Sequence, residues 1–160
     1  MNLSLIMANE NQYKLKTVYV GTRGVQEYRD SIGTYVSSSD RVLEIGCEWG
    51  TTSAHIFPKC EKLIATDISP KCIEKAKEIR PEIHFETLDV YDIRRAQSFG
   101  VEFNKMYIDV SGLSGYRSVL DVLALLNMYA SVFPMDAIVV KSGALKDLSR
   151  RCIAWNGGNI

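Results

Sequence analysis

Arg41-Val42-Leu43-Glu44-Ile45-Gly46-Cys47-Glu48-Trp49-Gly50 is the stretch that decides the fold. A short apolar run ends at one glycine and a second follows four positions on, the pattern of a buried strand that stops in a tight turn. The small polar cluster Ser37-Ser38-Ser39-Asp40 stands just ahead of it. Downstream, strand and helix patterns alternate. Residues 51–57 read as a short helix stopped by Pro58, and 62–67 as a second strand. Ser69-Pro70 then announces a helix, with a capping serine and a proline at the first helical position. That helix puts Ile73, Ala76 and Ile79 on one face and ends at Pro81.

The rest of the chain keeps the same rhythm. A third strand over 83–89 precedes a short helical piece over 93–98, and a fourth strand over 103–110 leads to a long helix over 116–133. Pro134 ends that helix, a fifth strand covers 137–141, and 144–155 reads as a closing helix. Short strands separated by helices imply right-handed crossovers and a mostly parallel sheet covered on both faces, a three-layer, doubly wound α/β fold. The first 40 residues hold a candidate strand pair (3–7 and 17–20) and a helix near 25–36, and they read as an N-terminal extension packing on the core.

Composition sets the bounds. The chain has 160 residues, 46% hydrophobic and 24% charged, which fits one globular domain spanning 1–160. Lys plus Arg and Asp plus Glu both total 19, so the net charge is zero. A neutral chain exerts no long-range pull on nucleic acid or anionic membrane. The four cysteines (Cys47, Cys60, Cys72 and Cys152) form no C-x-x-C pair, and His55 and His84 are the only histidines, so no metal site is expected. Residues 1–7 lack a basic flank and a signal-length apolar core, and no run reaches the length of a membrane span. A cytoplasmic location without membrane association is the expectation.

Chemistry-bearing residues gather at the carboxyl ends of the strands. Glu44 and Gly46 close the first strand, Asp67 the second, Asp89 the third, Asp109 the fourth and Lys141 the fifth. Any one acidic residue there serves equally well as a helix cap. Together, on the edge where open parallel sheets bind ligands, they favour a polar ligand.

The 42–50 stretch resembles the first motif of the class I S-adenosylmethionine-dependent methyltransferases, an acidic residue followed by Gly-x-Gly-x-Gly. Ala65-Thr66-Asp67-Ile68-Ser69 is similar to that family's second-strand acidic motif, Leu88-Asp89-Val90 to its third and 103–109 to its fourth. The resemblance implies S-adenosylmethionine as cofactor and a Rossmann-like sheet ordered 3-2-1-4-5, counted from the strand at 41–46. It implies that Glu44 orders the turn and contacts the amino-acid end of the cofactor. Gly46, Cys47 and Gly50 form the turn, Asp67 accepts the ribose hydroxyls, Asp89 takes the adenine amine, and Ile68 and Val90 pack the ring. The sequence departs from the pattern at the middle glycine, where Glu48 stands. The competing nicotinamide-binding fingerprint needs G-x-G-x-x-G, and no third glycine falls at that spacing here.

For the acceptor, Asp109-Val110-Ser111-Gly112 lacks the prolines common in nitrogen-directed members, so oxygen is favoured. Asp109 and Lys141 resemble two members of the Lys-Asp-Lys-Glu set of RNA 2′-O-methyltransferases and are the candidate catalytic pair; the remaining two have no clear counterpart. Equally, Lys141 reads as a strand-end lysine paired with Asp109. The metal-using small-molecule O-methyltransferases need carboxylate and amide ligands where Lys141-Ser142-Gly143 stands, which argues against a metal. The acceptor is thus a small molecule or RNA. The alternative is a methyltransferase-like protein that binds cofactor or a partner without transfer.

After Lys141 the family's antiparallel C-terminal hairpin is expected to be absent or reduced. That leaves the fifth-strand edge for the N-terminal segment or a second subunit to cover. The long helix, apolar nearly all round, reads as buried against the sheet. It and the fifth-strand edge are the two candidate homodimer surfaces.

Overall fold

Side chains alternate across each strand and so feed two apolar layers. In the computed structural model, which describes residues 16–111 and 118–155, six strands form one sheet. They are β1 (Val18–Thr22), β2 (Arg41–Ile45), β3 (Lys62–Asp67), β4 (His84–Thr87), β5 (Lys105–Ile108) and β6 (Ala137–Lys141). Their order is β1-β6-β5-β2-β3-β4, and every neighbouring pair is parallel. The helices are α1 (Val25–Asp30), α2 (Ile32–Tyr35), α3 (Ser53–Ile56), α4 (Pro70–Ile79), α5 (Ile93–Ser98), α6 (Val119–Val132) and α7 (Gly143–Ser149).

On one side, Leu43, Ile45, Ile64, Met106, Ile108, Ile138 and Val140 share a core with Ala96 of α5 and with Val122, Leu125, Leu126 and Tyr129 of α6. On the other, Val42, Leu63, Ala65, Tyr107 and Val139 pack with Tyr28 of α1, Ile32 of α2, Ile56 of α3 and Ile73 and Ala76 of α4. The three expected layers are therefore present. α4 starts as the sequence indicates, with the Ser69 hydroxyl accepting the Cys72 N–H at 3.3 Å and Pro70 in the first turn.

The sheet departs from the expected order by one strand. The five anticipated strands stand as β4-β3-β2-β5-β6, and β1 adds a sixth beside β6, in register from Val18↔Ala137 to Thr22↔Lys141. The candidate partner of β1 at 3–7 lies outside the described residues. Because β1 satisfies the outer ladder of β6, the suggested homodimer through the fifth-strand edge is corrected: that edge is already taken from within the chain. Among the described residues no strand follows β6, and α7 comes next.

Some boundaries also shift. The helix expected at 25–36 is broken at Ser31, whose hydroxyl donates to the Tyr28 carbonyl at 2.7 Å. Pro58 does not simply end a helix but sits in a 3-10 turn over Phe57–Lys59, and the closing helix stops at Ser149 instead of reaching 155. No helix among the described residues is long and apolar enough to cross a membrane.

Candidate functional site at the carboxyl edge of the sheet

From β2 the chain moves to β3 on one side, then returns to β5 on the other. The connections leaving the carboxyl ends of β2 and β5 diverge there, which is where open α/β sheets form a ligand crevice. A cleft of about 650 Å3 opens at this point. It is lined by Ile45, Gly46, Glu48, Asp67, Ile68, Cys72, Leu88, Asp89, Val90, Tyr91, Asp109, Val110, Ser111 and Lys141.

The glycine bend forms the cleft's inner wall. Gly46 has φ 82, and a Cβ there would lie 1.8 Å from the Asp109 carbonyl oxygen, so only glycine lets the β2 and β5 ends approach this closely. Gly50, at φ 77, is needed for a different reason: its Cβ would meet the Phe85 ring at 2.7 Å. Between them the Gly50 N–H bonds the Cys47 carbonyl at 2.8 Å, closing a turn whose second residue, Glu48, has φ 51. A non-glycine residue in that left-handed region costs roughly 1–2 kcal/mol.

Asp67 ties this bend to β3. One carboxylate oxygen accepts the Glu48 N–H at 3.0 Å, and the other accepts the Ser69 N–H at 2.9 Å. A carboxylate offers about four lone-pair sites, so each oxygen keeps acceptor capacity for a ligand. Asp89 is exposed, and its side chain accepts the Tyr91 N–H at 3.0 Å. Ile68, 66% exposed, and buried Val90 add apolar surface. The buried Tyr129 hydroxyl of α6 donates to the Val90 carbonyl at 3.0 Å and so pins that wall from behind.

Across the cleft, Lys141 Nζ lies 2.5 Å from Asp109 Oδ1, and both side chains are partly exposed. Glu44 sits beneath them on the far face of β2, 1% exposed, and the Ser53 hydroxyl donates to its carboxylate at 2.5 Å. Burial pushes the Glu44 carboxyl up to about 7, against the pull of the Ser53 hydrogen bond, and the neighbouring Asp109 charge adds to the rise. The buried Tyr28 hydroxyl has no hydrogen-bond partner among the described residues. Burial raises it well above its ordinary value, and the Glu44 and Asp109 charges push the same way.

Of the residues expected from the sequence, Gly46, Asp67, Ile68, Asp89, Val90, Asp109 and Lys141 meet around this one cleft. Glu44, Cys47 and Gly50 do not line it. Glu44 is sealed below the bend, Cys47 is 4% exposed in the α1–α4 core with its thiol pushed well up by burial, and Gly50 backs onto Phe85. Sequence reasoning passed over Cys72, Tyr91 and Ser111 as lining residues. The signal was present for the last two, since they directly follow strand-end motifs. Cys72 required knowing that the first turn of α4 faces the bend.

No family model matches the sequence, and no curated protein matches it. Solved structures do. DesVI from Streptomyces venezuelae is 15% identical, with a TM-score of 0.54 over 83% of this chain and 52% of that one. A TehB-like SAM-dependent methyltransferase from Corynebacterium glutamicum is 18% identical, with a TM-score of 0.54 over 79% of this chain and 70% of that one. SAM-bound CalS10, an amino pentose methyltransferase from Micromonospora echinaspora, is 16% identical, with a TM-score of 0.52 over 73% and 48%. The chain spans about half, or less, of the length of the first solved structures it matches. At such identities the likeness speaks to architecture, and with the sheet order and switch-point cleft it gives the conclusion: this chain has the fold of the class I S-adenosylmethionine-dependent methyltransferases.

Proposed function

We propose that this chain binds S-adenosylmethionine in the switch-point cleft and transfers its methyl group to a hydroxyl oxygen of a small molecule or RNA. The observation that carries the reading is the convergence of the Gly46 bend, Asp67, Asp89 and Asp109 on a single hollow. The residues fit the group. Gly46 offers bare backbone, Asp67 keeps lone pairs on both oxygens for the ribose hydroxyls, and Asp89 is exposed for the adenine amine. Ile68 and Val90 supply apolar surface for the ring, while Glu44, Cys47 and Gly50 shape the bend from behind. When bound, the cofactor supplies a methyl group already activated on a sulfonium, so the protein's task is mainly to align a nucleophile.

Asp109 and Lys141 are the groups able to handle the acceptor's proton. Asp109 accepts it as the new oxygen–carbon bond forms, and the Lys141 ammonium orients the Asp109 carboxylate. Oxygen is favoured over nitrogen because no proline follows Asp109 in Val110-Ser111-Gly112. Four free cysteines suit the reducing cytoplasm. A second reading, cofactor or partner binding without transfer, draws support from Glu48 at the cleft wall and from the mutual pairing of Asp109 with Lys141.

Calorimetry with S-adenosylmethionine and S-adenosylhomocysteine tests the binding step, and labelled methyl transfer to total RNA and to a metabolite extract tests the chemistry. Asp109→Ala and Lys141→Ala are expected to keep binding within about threefold and to lower transfer by on the order of 100-fold. Binding without transfer by the unaltered protein supports the second reading.

A further inference from the structure

Glu48 holds a left-handed backbone, φ 51, at an exposed position where glycine would sit without strain. Strain that persists beside a ligand cleft points to a task for the residue that bears it. Glu48 lines the cleft, and its N–H is fastened to Asp67 Oδ2 at 3.0 Å, so it is anchored next to a second carboxylate. Asp89 and Asp109 line the same hollow, and Lys141 is paired with Asp109. Glu48, Asp67 and Asp89 thus give the cleft a negative field, and Glu48 is the member with no place in the resembled family's pattern.

We propose that Glu48 selects ligands by charge, favouring cationic S-adenosylmethionine over neutral S-adenosylhomocysteine and so letting fresh cofactor outcompete the spent product for the cleft; this rests on the methyl-transfer reading above. Both ligands carry the same ammonium and carboxylate, whose charges largely cancel. They differ by the sulfonium, and a partly screened carboxylate acts on that difference.

The test is calorimetric affinity for both ligands in the unaltered protein, Glu48→Gln and Glu48→Gly, each at low salt and at about 0.5 M salt. Both variants are expected to weaken S-adenosylmethionine by about threefold and to leave S-adenosylhomocysteine within error, and the effect should shrink at high salt. Glu48→Gly also relaxes the bend and should raise the urea midpoint, so a folding defect does not mask the result. Equal weakening of both ligands, or no change in either, overturns charge selection while the methyl-transfer reading stands. If the unaltered protein binds neither ligand, both fall.

Discussion

Glu44 is a carboxyl group held under the bend with a hydroxyl for a partner, and it makes the protein's stability depend on pH. Its folded value of about 7 lies above the 4.5 of an unperturbed glutamate, so the folded state keeps a proton that the unfolded chain has released between those values. Stability from this group is therefore full below about pH 4.5 and is lost as pH rises to about 7, on the order of 3 kcal/mol in all. Glu44→Gln removes the buried charge and keeps an acceptor for Ser53. Urea midpoints should show the variant more stable than its parent at pH 8, with the gap closing toward pH 4.5. A constant gap across that range would assign the burial cost elsewhere.

Among the elements, α6 carries a task that its apolar pattern hides. Nearly every turn of it is hydrophobic, yet Tyr129 on its buried face reaches the Val90 carbonyl and so fixes the loop that follows β4. Tyr129→Phe keeps the ring stacked on Phe133 but leaves that carbonyl unsatisfied. The expected cost is about 1–2 kcal/mol, read as a lower urea midpoint together with faster amide exchange at Tyr91 and Asp92. Strand ends were legible in the sequence because an apolar run stops abruptly at a charged residue, as at Asp67 and Asp109. Helix ends were less so. Ser31 breaks one helix by bonding the Tyr28 carbonyl, a local competition that composition does not reveal. The depth of Glu44 was likewise hidden, since alternation assigns it a face of β2 but not the α1 and α3 lid that seals that face.

For the whole molecule, the sheet's central order followed from the motif-bearing strands; a strand at 17–20 and an N-terminal cover for the fifth-strand edge were both expected, but not that this strand itself is the cover, parallel beside β6. The run Val18-Tyr19-Val20 marks β1 as a strand but not its partner, because its place depends on β6, more than 100 residues away. Gly21 is required there because a Cβ would lie 2.8 Å from the Lys146 backbone nitrogen of α7. Val20→Pro, which removes a backbone donor in the middle of β1, should cost about 1–3 kcal/mol and loosen the cover on the outer ladder of β6, seen as a lower urea midpoint and concentration-dependent light scattering. A variant that stays monodisperse with an unchanged midpoint would mean that β1 contributes little to closing the sheet. The β1–β6 pairing also has a consequence for biogenesis. β1 must wait for β6: Val18 is translated 119 residues before its register partner Ala137, roughly 10 s at ordinary elongation rates. Throughout that interval the nascent polypeptide holds an unzipped seam, so completion of the fold is a late event and a natural point for chaperone engagement.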